Sequence, residues 1–226
     1  MAQQHVSAVD RALTILEASA AAGEALSLAE LSARTGFYKS TILRLCGSLQ
    51  QRGYLVREPD GRFRLGSGVL RLGALYREAY PAAERVRPLL ARLVDETGET
   101  ASFYVREGAA RLCLYRANSP REIRHHLEEG ARLPLDAGAA GRLLLAFGDP
   151  EWTAGSDIRQ AGHCISLGER DPEIAAVAVP VFDLDARLTG TLAVSGLLGH
   201  FDVAFQARCL SALRRAAGAL SPGSQA

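Results

Sequence analysis

The hydrophobic pattern of residues 7–51 predicts three helices. The first carries apolar residues at helical spacing, and we expect it to support the next two; these residues are Val9, Leu13 and Leu16. The second helix begins at a capping box formed by Ser27 and Glu30 and stops at Gly36. The third, from about Tyr38 to Gln51, has one stripe that we expect to be buried, made of Ile42, Leu45, Cys46 and Leu49.

From residue 54 the apolar period changes from helical to alternating, which predicts a β-hairpin. Its strands, 54–58 and 62–65, flank Pro59-Asp60-Gly61, a sequence typical of tight turns. Arg62 and Arg64 alternate with apolar neighbours, so both are expected to extend from one face. Two helices joined by a glycine turn and followed by a two-stranded wing predict a winged helix–turn–helix domain.

The charge of this segment indicates double-stranded DNA as the partner. Residues 34–64 contain seven Lys or Arg and two acidic residues, whereas the whole chain has a net charge of +1. Such local asymmetry is typical of a nucleic-acid surface, although exposed basic residues also occur on ordinary solvated faces. The residues expected to contact bases and phosphates are Tyr38, Lys39, Ser40, Thr41, Arg44, Arg62 and Arg64.

A short helix over residues 67–79 precedes a region whose pattern predicts helices packed on an antiparallel sheet. A long helix that Gly98 stops opens this region. The elements expected after it are strands over 101–105, 112–114 and 123–127, a helix over 137–147, strands over 174–182 and 188–197, and a final helix from Asp202 to Leu220. This order predicts an α+β domain, with a disordered tail after it.

Composition excludes several classes of protein. A chain of 226 residues holds one large domain or two small ones, and no apolar run is long enough to predict a membrane span. The N-terminus lacks the layout of a signal peptide, so we expect a cytoplasmic protein. The four scattered cysteines are typical of buried thiols, and the five histidines lack metal-binding spacing; we expect no metal and no cofactor.

The order of these motifs resembles the IclR family of bacterial transcription regulators from about Val6 to Leu213. The resemblance rests on residues 36–45, 53–54, 63–66, 133–135, 139–147, 174–183 and 193–196. It implies a winged helix–turn–helix domain over residues 1–66, a linker helix over 67–80 that helps two subunits dimerise, and a GAF-like effector-binding and oligomerisation domain over 81–226. The fold class implied is α+β, and the assembly is a homodimer or homotetramer.

The resemblance also implies a small-molecule effector, often a small organic or aromatic acid in this family. Residues 136–141 have little side-chain bulk at a helix start, which suits a carboxylate; alternatively, they only let the helix pack closely on the sheet. The expected effector-binding residues are Asp136 at the helix start and, by position in the family, Ala139, Ala140, Ser166, Ala176, Ala193 and Ser195. Further candidates for the wall are Phe103, Tyr115 and His125.

The expected function is a ligand-responsive transcription regulator that recognises a palindromic operator. The alanines at 176 and 193 predict an apolar or partly collapsed pocket. The short 148–158 segment predicts a missing wall, which favours the alternative of a degenerate sensor domain that only oligomerises. An enzyme is not expected, because residues 81–220 show no nucleophile–base pair; Glu169 and Asp171 lie in a polar loop, where acids are ordinarily solvated.

Overall fold

The computed structural model describes residues 6–78, 83–124 and 127–220, and the chain divides into two units, residues 1–81 and 82–226. His125 and the C-terminal tail, which entered the sequence predictions, lie outside the described residues.

The first unit is a winged helix–turn–helix, as the pattern predicts. Its elements are α1 (Ser7–Ala22), α2 (Leu28–Thr35), α3 (Lys39–Gln51), β1 (Leu55–Arg57), β2 (Phe63–Leu65) and α4 (Ser67–Glu78). The capping box is confirmed: the Ser27 hydroxyl accepts the Glu30 N–H, and the Ser27 N–H donates to the Glu30 carboxylate at 2.7 Å. These hydrogen bonds lower the pKa of Glu30. Gly36 then ends α2 with φ 72°, a conformation that favours glycine.

The apolar stripe predicted for α1 is wrong at Val9 and Leu13, which are 54% and 51% exposed, and confirmed at Leu16, which packs against the core. The buried residues of α1 are Ile15 and Ser19. The Ser19 hydroxyl donates to the Ile15 carbonyl at 2.8 Å, so its burial leaves no unsatisfied donor. The predicted stripe of α3 is confirmed, because Ile42, Leu45 and Cys46 are buried and Leu49 packs against them.

The second unit is an α+β domain built on one antiparallel sheet. Its helices are α5 (Ala83–Thr97), α6 (Ala139–Gly148), α7 (Ser156–Ala161) and α8 (Val203–Leu220). Its strands are β3 (Thr100–Glu107), β4 (Ala110–Ala117), β5 (Arg132–Pro134), β6 (Cys164–Leu167), β7 (Ile174–Phe182) and β8 (Leu188–Leu197), in the spatial order β5-β4-β3-β8-β7-β6. Burial is nearly continuous along β8, which indicates that helices cover both faces of the sheet.

Three details of this domain differ from the sequence predictions. The strand predicted over 123–127 is wrong at Ile123, which is exposed in a bend; the edge strand is β5, paired with β4. The short strand β6 was not predicted. The 148–158 segment is short but not structureless: a 3₁₀ turn, Thr153–Gly155, leads into α7, and Trp152 and Ile158 pack against the core around α6.

Candidate DNA interface and effector cavity

The exposed face of α3 presents polar side chains at its N-terminal end. Tyr38, the N-cap residue, is 85% exposed and makes no side-chain cap. Its carbonyl accepts the Thr41 and Ile42 N–H groups, so the amides before them are the ones that a helix start leaves without a helical acceptor. Lys39, Ser40 and Arg44 are exposed, and Thr41 is half-buried. These groups can donate to phosphate oxygens and to base edges.

The two wing arginines are exposed, and each is paired with an acidic residue of the wing. The Arg62 guanidinium lies 3.4 Å from the Asp60 carboxylate, and the Arg64 guanidinium forms an ion pair with Glu58. Asp60 and Glu58 are the two acids of the basic segment, so the charge count overstates the free positive charge of the wing. Exposed ion pairs of this kind stabilise a protein little, and the arginines can exchange carboxylate for phosphate at small cost.

In the second unit, a cavity lies between the N-terminal end of α6 and the strands beneath it. Its volume is about 40 Å³, and its walls include six of the seven predicted effector residues: Ala139, Ala140, Ser166, Ala176, Ala193 and Ser195. Asp136 is not among the lining residues, because its side chain is exposed in the turn before α6. Phe103 and Tyr115 are also absent from the walls. They stack on each other at 6.4 Å, and Arg87 of α5 covers the Tyr115 ring.

A buried arginine on β4, Arg111, lines this cavity and was missed by the sequence analysis. Only 5% of Arg111 is exposed, and burial lowers its pKa. One Nη donates to the Ala137 carbonyl at 2.8 Å, and the guanidinium lies 5.4 Å from the centre of the Tyr104 ring. Its Nε has no hydrogen-bond partner in the described structure. The sequence signal was an arginine directly before the apolar run Leu112 to Tyr115.

The N-terminus of α6 is capped from a distant loop. The Gly138 N–H donates to the Glu169 carboxylate at 3.3 Å, and the other oxygen of that carboxylate accepts from Arg142 at 2.7 Å. Glu169 is therefore not simply a solvated loop acid, as its sequence context suggested. Asp171, two residues further on, lines the cavity and accepts the Glu173 N–H at 3.1 Å.

The cysteines behave as buried thiols. Cys46, Cys113, Cys164 and Cys209 are all unbonded to one another and buried, and burial raises their pKa values to about 11 or, for Cys209, about 12. In the described part of the chain, no three His, Cys, Asp or Glu side chains form a group that fits a metal ion. None of the described helices combines the length and apolar character that crossing a bilayer requires.

Together, an exposed α3 face with a basic wing and a second, α+β domain that contains a cavity are the features of a DNA-binding transcription regulator. The IclR helix-turn-helix domain matches residues 8–59, and the C-terminal domain of bacterial transcriptional regulator IclR matches residues 76–154 and 156–222. The chain belongs to the IclR family. The second unit is accordingly the GAF-like domain of this family, and α4 is its linker helix.

Individual relatives agree with this assignment. The HTH-type transcriptional regulator BhcR of Paracoccus denitrificans is 32% identical over 219 residues, which cover 84% of this chain and 77% of BhcR. The IclR structure from Thermotoga maritima superposes with a TM-score of 0.81 at 18% identity, covering 98% and 100% of the two chains. An IclR homologue from Microbacterium hydrocarbonoxydans, solved with 4-hydroxybenzoate, has a TM-score of 0.77 at 21% identity, covering 97% and 99%. The two structures support the fold.

Proposed function

We propose that this chain is a cytoplasmic transcription regulator that binds a palindromic operator and responds to a small organic or aromatic acid. Residues 1–66 would bind DNA, 67–80 link the domains, and 81–226 sense the effector and oligomerise. The observation that carries the proposal is the coexistence of a free recognition face on α3 with a cavity in the α+β domain. The relatives are regulators rather than enzymes, and we propose no catalytic activity.

Within the first unit, exposed apolar residues support dimerisation. Val9 and Leu13 lie uncovered on α1, and Leu70 and Leu75 are 69% and 57% exposed on α4. Apolar side chains left exposed in this number are typical of a surface that a partner covers. A two-fold dimer would present two recognition helices to two half-sites, which is why the operator would be palindromic. We expect Leu75→Glu to shift the assembly towards monomer in light scattering.

In the DNA complex, we propose that Tyr38, Lys39, Ser40, Thr41 and Arg44 contact bases and phosphates, while Arg62 and Arg64 hold the flanking backbone. The experiment is titration of the full chain with the intergenic DNA upstream of its own gene and with scrambled DNA, over a salt series. We expect specific binding with a steep salt dependence, because phosphate contacts release counterions. The double variant Lys39→Ala/Arg44→Ala should lose this specific binding. The control variant Arg92→Ala, which removes an exposed arginine of α5, should keep it. Equal binding of both DNAs by the wild type would contradict the proposal.

Effector binding and DNA binding are coupled by thermodynamic linkage. If an acid changes the affinity for DNA by some factor, the DNA must change the affinity for that acid by the same factor. Effector-dependent changes in operator affinity therefore test the sensor role directly. The proposed effector contacts are the six lining residues named above. Asp136, which is exposed in the turn before α6, would contact an effector only at the edge of the cavity.

One observation favours a second candidate function, that of a regulator whose sensor domain only oligomerises. The cavity of about 40 Å³ is small compared with the ligand-binding pockets of most proteins. A protein of this kind would bind its operator with the same affinity in the presence of any acid. Thermal unfolding with candidate acids separates the two functions, since a ligand that binds only the folded state must raise the melting temperature.

A further inference from the structure

The Arg111 guanidinium is a buried cation without a counterion. Among the described residues no carboxylate forms an ion pair with it, and its Nε lacks any hydrogen-bond partner. A second buried arginine of the same strand, Arg116, shows the usual arrangement: it donates to Asn118 at 2.9 Å and to Ser102 at 3.1 Å. Because burial of an unpaired charge is costly, a guanidinium left in this condition indicates a missing partner.

The groups around Arg111 include the first turn of α6 and a second arginine of the cavity wall. A Cβ placed on Gly138 would lie 3.3 Å from its terminal nitrogens, and one on Gly141 would lie 2.6 Å from Nη1, so the guanidinium lies against the positive end of α6. Arg170 also lines the cavity. Its neighbour in the chain, Asp171, also lines the cavity and accepts the Glu173 N–H. Because the Gly138 N–H already donates to the Glu169 carboxylate, an anion in the cavity would be attracted mainly by the guanidinium.

Resting on the sensor function proposed above, we propose that Arg111 binds the carboxylate of the effector and that the effector is a compact monocarboxylate of a few carbon atoms. The guanidinium supplies N–H donors in a planar fork that matches a carboxylate. The size follows from the cavity: about 40 Å³ is far below the roughly 150 Å³ of a protein cavity that admits benzene. The methyl groups of Ala176 and Ala193 suit a short carbon chain rather than further charge.

The test measures binding of sodium acetate, propionate, pyruvate and benzoate to the full chain, with acetamide and propionamide as uncharged analogues. Binding is followed by calorimetry and by the fluorescence of Trp152, the single tryptophan, which packs against the core around α6. We expect a short carboxylate to bind at least roughly tenfold more tightly than its amide, since hydrogen bonds to charged groups are the stronger class. Benzoate should bind more weakly than the preferred short acid.

Two variants and a control assign the effect to Arg111. Arg111→Met should lose roughly 10- to 100-fold in affinity for the carboxylate. It should then bind the carboxylate and its amide with similar affinity. Arg111→Lys keeps the positive charge but lacks the planar set of N–H donors. Its carboxylate affinity should therefore lie between those of Arg111→Met and the wild type. The control is Arg106→Met: Arg106 is the cross-strand neighbour of Arg111 but is exposed and outside the cavity, so affinity should stay unchanged.

Stability distinguishes this role from a structural one. Replacing an unpaired buried charge by a methionine of similar length should leave the melting temperature unchanged or raise it, whereas an arginine that holds the domain together would lower it. Carboxylate affinity equal to wild type in Arg111→Met, or no response of the wild type to any carboxylate, overturns the inference. Operator binding is measured in parallel without acid: its failure refutes the regulator proposal, while its survival confines a negative result to the sensor site.

Discussion

Gly66 joins the wing to the linker helix at a contact that admits no side chain. An alanine Cβ there would lie 2.2 Å from the Gly53 carbonyl oxygen and 2.9 Å from its carbon, so backbone atoms on both sides must move by nearly 1 Å. The same contact carries two hydrogen bonds, from the Gly66 N–H to Tyr54 at 2.8 Å and from the Gly68 N–H to Gly53 at 2.9 Å. Gly66→Ala therefore perturbs the whole junction.

The expected loss of stability has two contributions, the steric overlap of the new Cβ and the weakening of these hydrogen bonds. Overpacking against backbone costs about 1–3 kcal/mol, and weakening one hydrogen bond adds about 1 kcal/mol. We expect Gly66→Ala to destabilise the DNA-binding domain by about 2–4 kcal/mol, a large part of the stability of a domain of this size. At roughly 4–8 °C for each kcal/mol, the melting temperature of this domain should fall by at least about 8 °C.

Gly47→Ala is the matched control for this glycine. Gly47 lies inside α3 with open space where an alanine Cβ would stand, so alanine there should stabilise the helix by about 1 kcal/mol. Circular dichroism of the full chain follows all helices, whereas Trp152 fluorescence follows only the second domain. We expect Gly66→Ala to lower the dichroism transition and leave the fluorescence transition in place. A variant as stable as the wild type in both signals would refute the steric argument.

Three further predictions concern the DNA interface, the sensor core and the thiols. Arg44→Ala should cost about 1–3 kcal/mol of operator affinity and relax specificity at one base if Arg44 reads guanine. Lys39→Ala should weaken binding to all DNAs alike and reduce the slope of affinity against salt concentration by about 1 per protomer. An unchanged preference for the operator in Arg44→Ala would contradict the assignment of Arg44. Leu143→Ala, at a fully buried position of α6, should lower the unfolding free energy of the sensor domain by about 2–5 kcal/mol in urea titrations read by tryptophan fluorescence, and the half-buried neighbour Leu145→Ala should cost less. Because burial raises the pKa of Cys209 from 9.0 to about 12, the unfolded thiol ionises first as pH rises above 9; stability should then fall by up to about 1.4 kcal/mol per pH unit towards pH 12, and Cys209→Ala should show a shallower decline.

The DNA-binding domain was predictable because its signals are local. The Ser27 capping box, the glycine at position 36 and the turn at 59–61 each act within a few residues, and all three are present in the structure. The buried side of α1 was predicted correctly at Leu16 but not at Val9 and Leu13. Apolar spacing identifies the helix but not fully which side faces the core, and Ser19 is buried because its hydroxyl donates to the Ile15 carbonyl.

In the sensor domain, the long strands were predictable and the short ones were not. Residues 174–182 are apolar throughout and 188–197 are largely apolar, and the structure has β7 and β8 at those bounds. Strands of three or four residues such as β5 and β6 carry too few alternations to be distinguished from loops. Their place is set by pairing with β4 and β7, which is a long-range property of the chain.

The small residues at 136–141 left two explanations open, space for a ligand or close packing of a helix on the sheet. The structure adds a third, because the space beside Gly138 and Gly141 is occupied by the guanidinium of Arg111, about 30 residues earlier in the chain. A side chain at Gly141 would also meet the Leu135 carbonyl at 2.6 Å. The glycines and the arginine therefore form one feature that no local pattern reveals. Since the guanidinium lies against the first turn of α6, an effector carboxylate bound to Arg111 would lie beside that turn, whose Gly138 N–H already donates to Glu169.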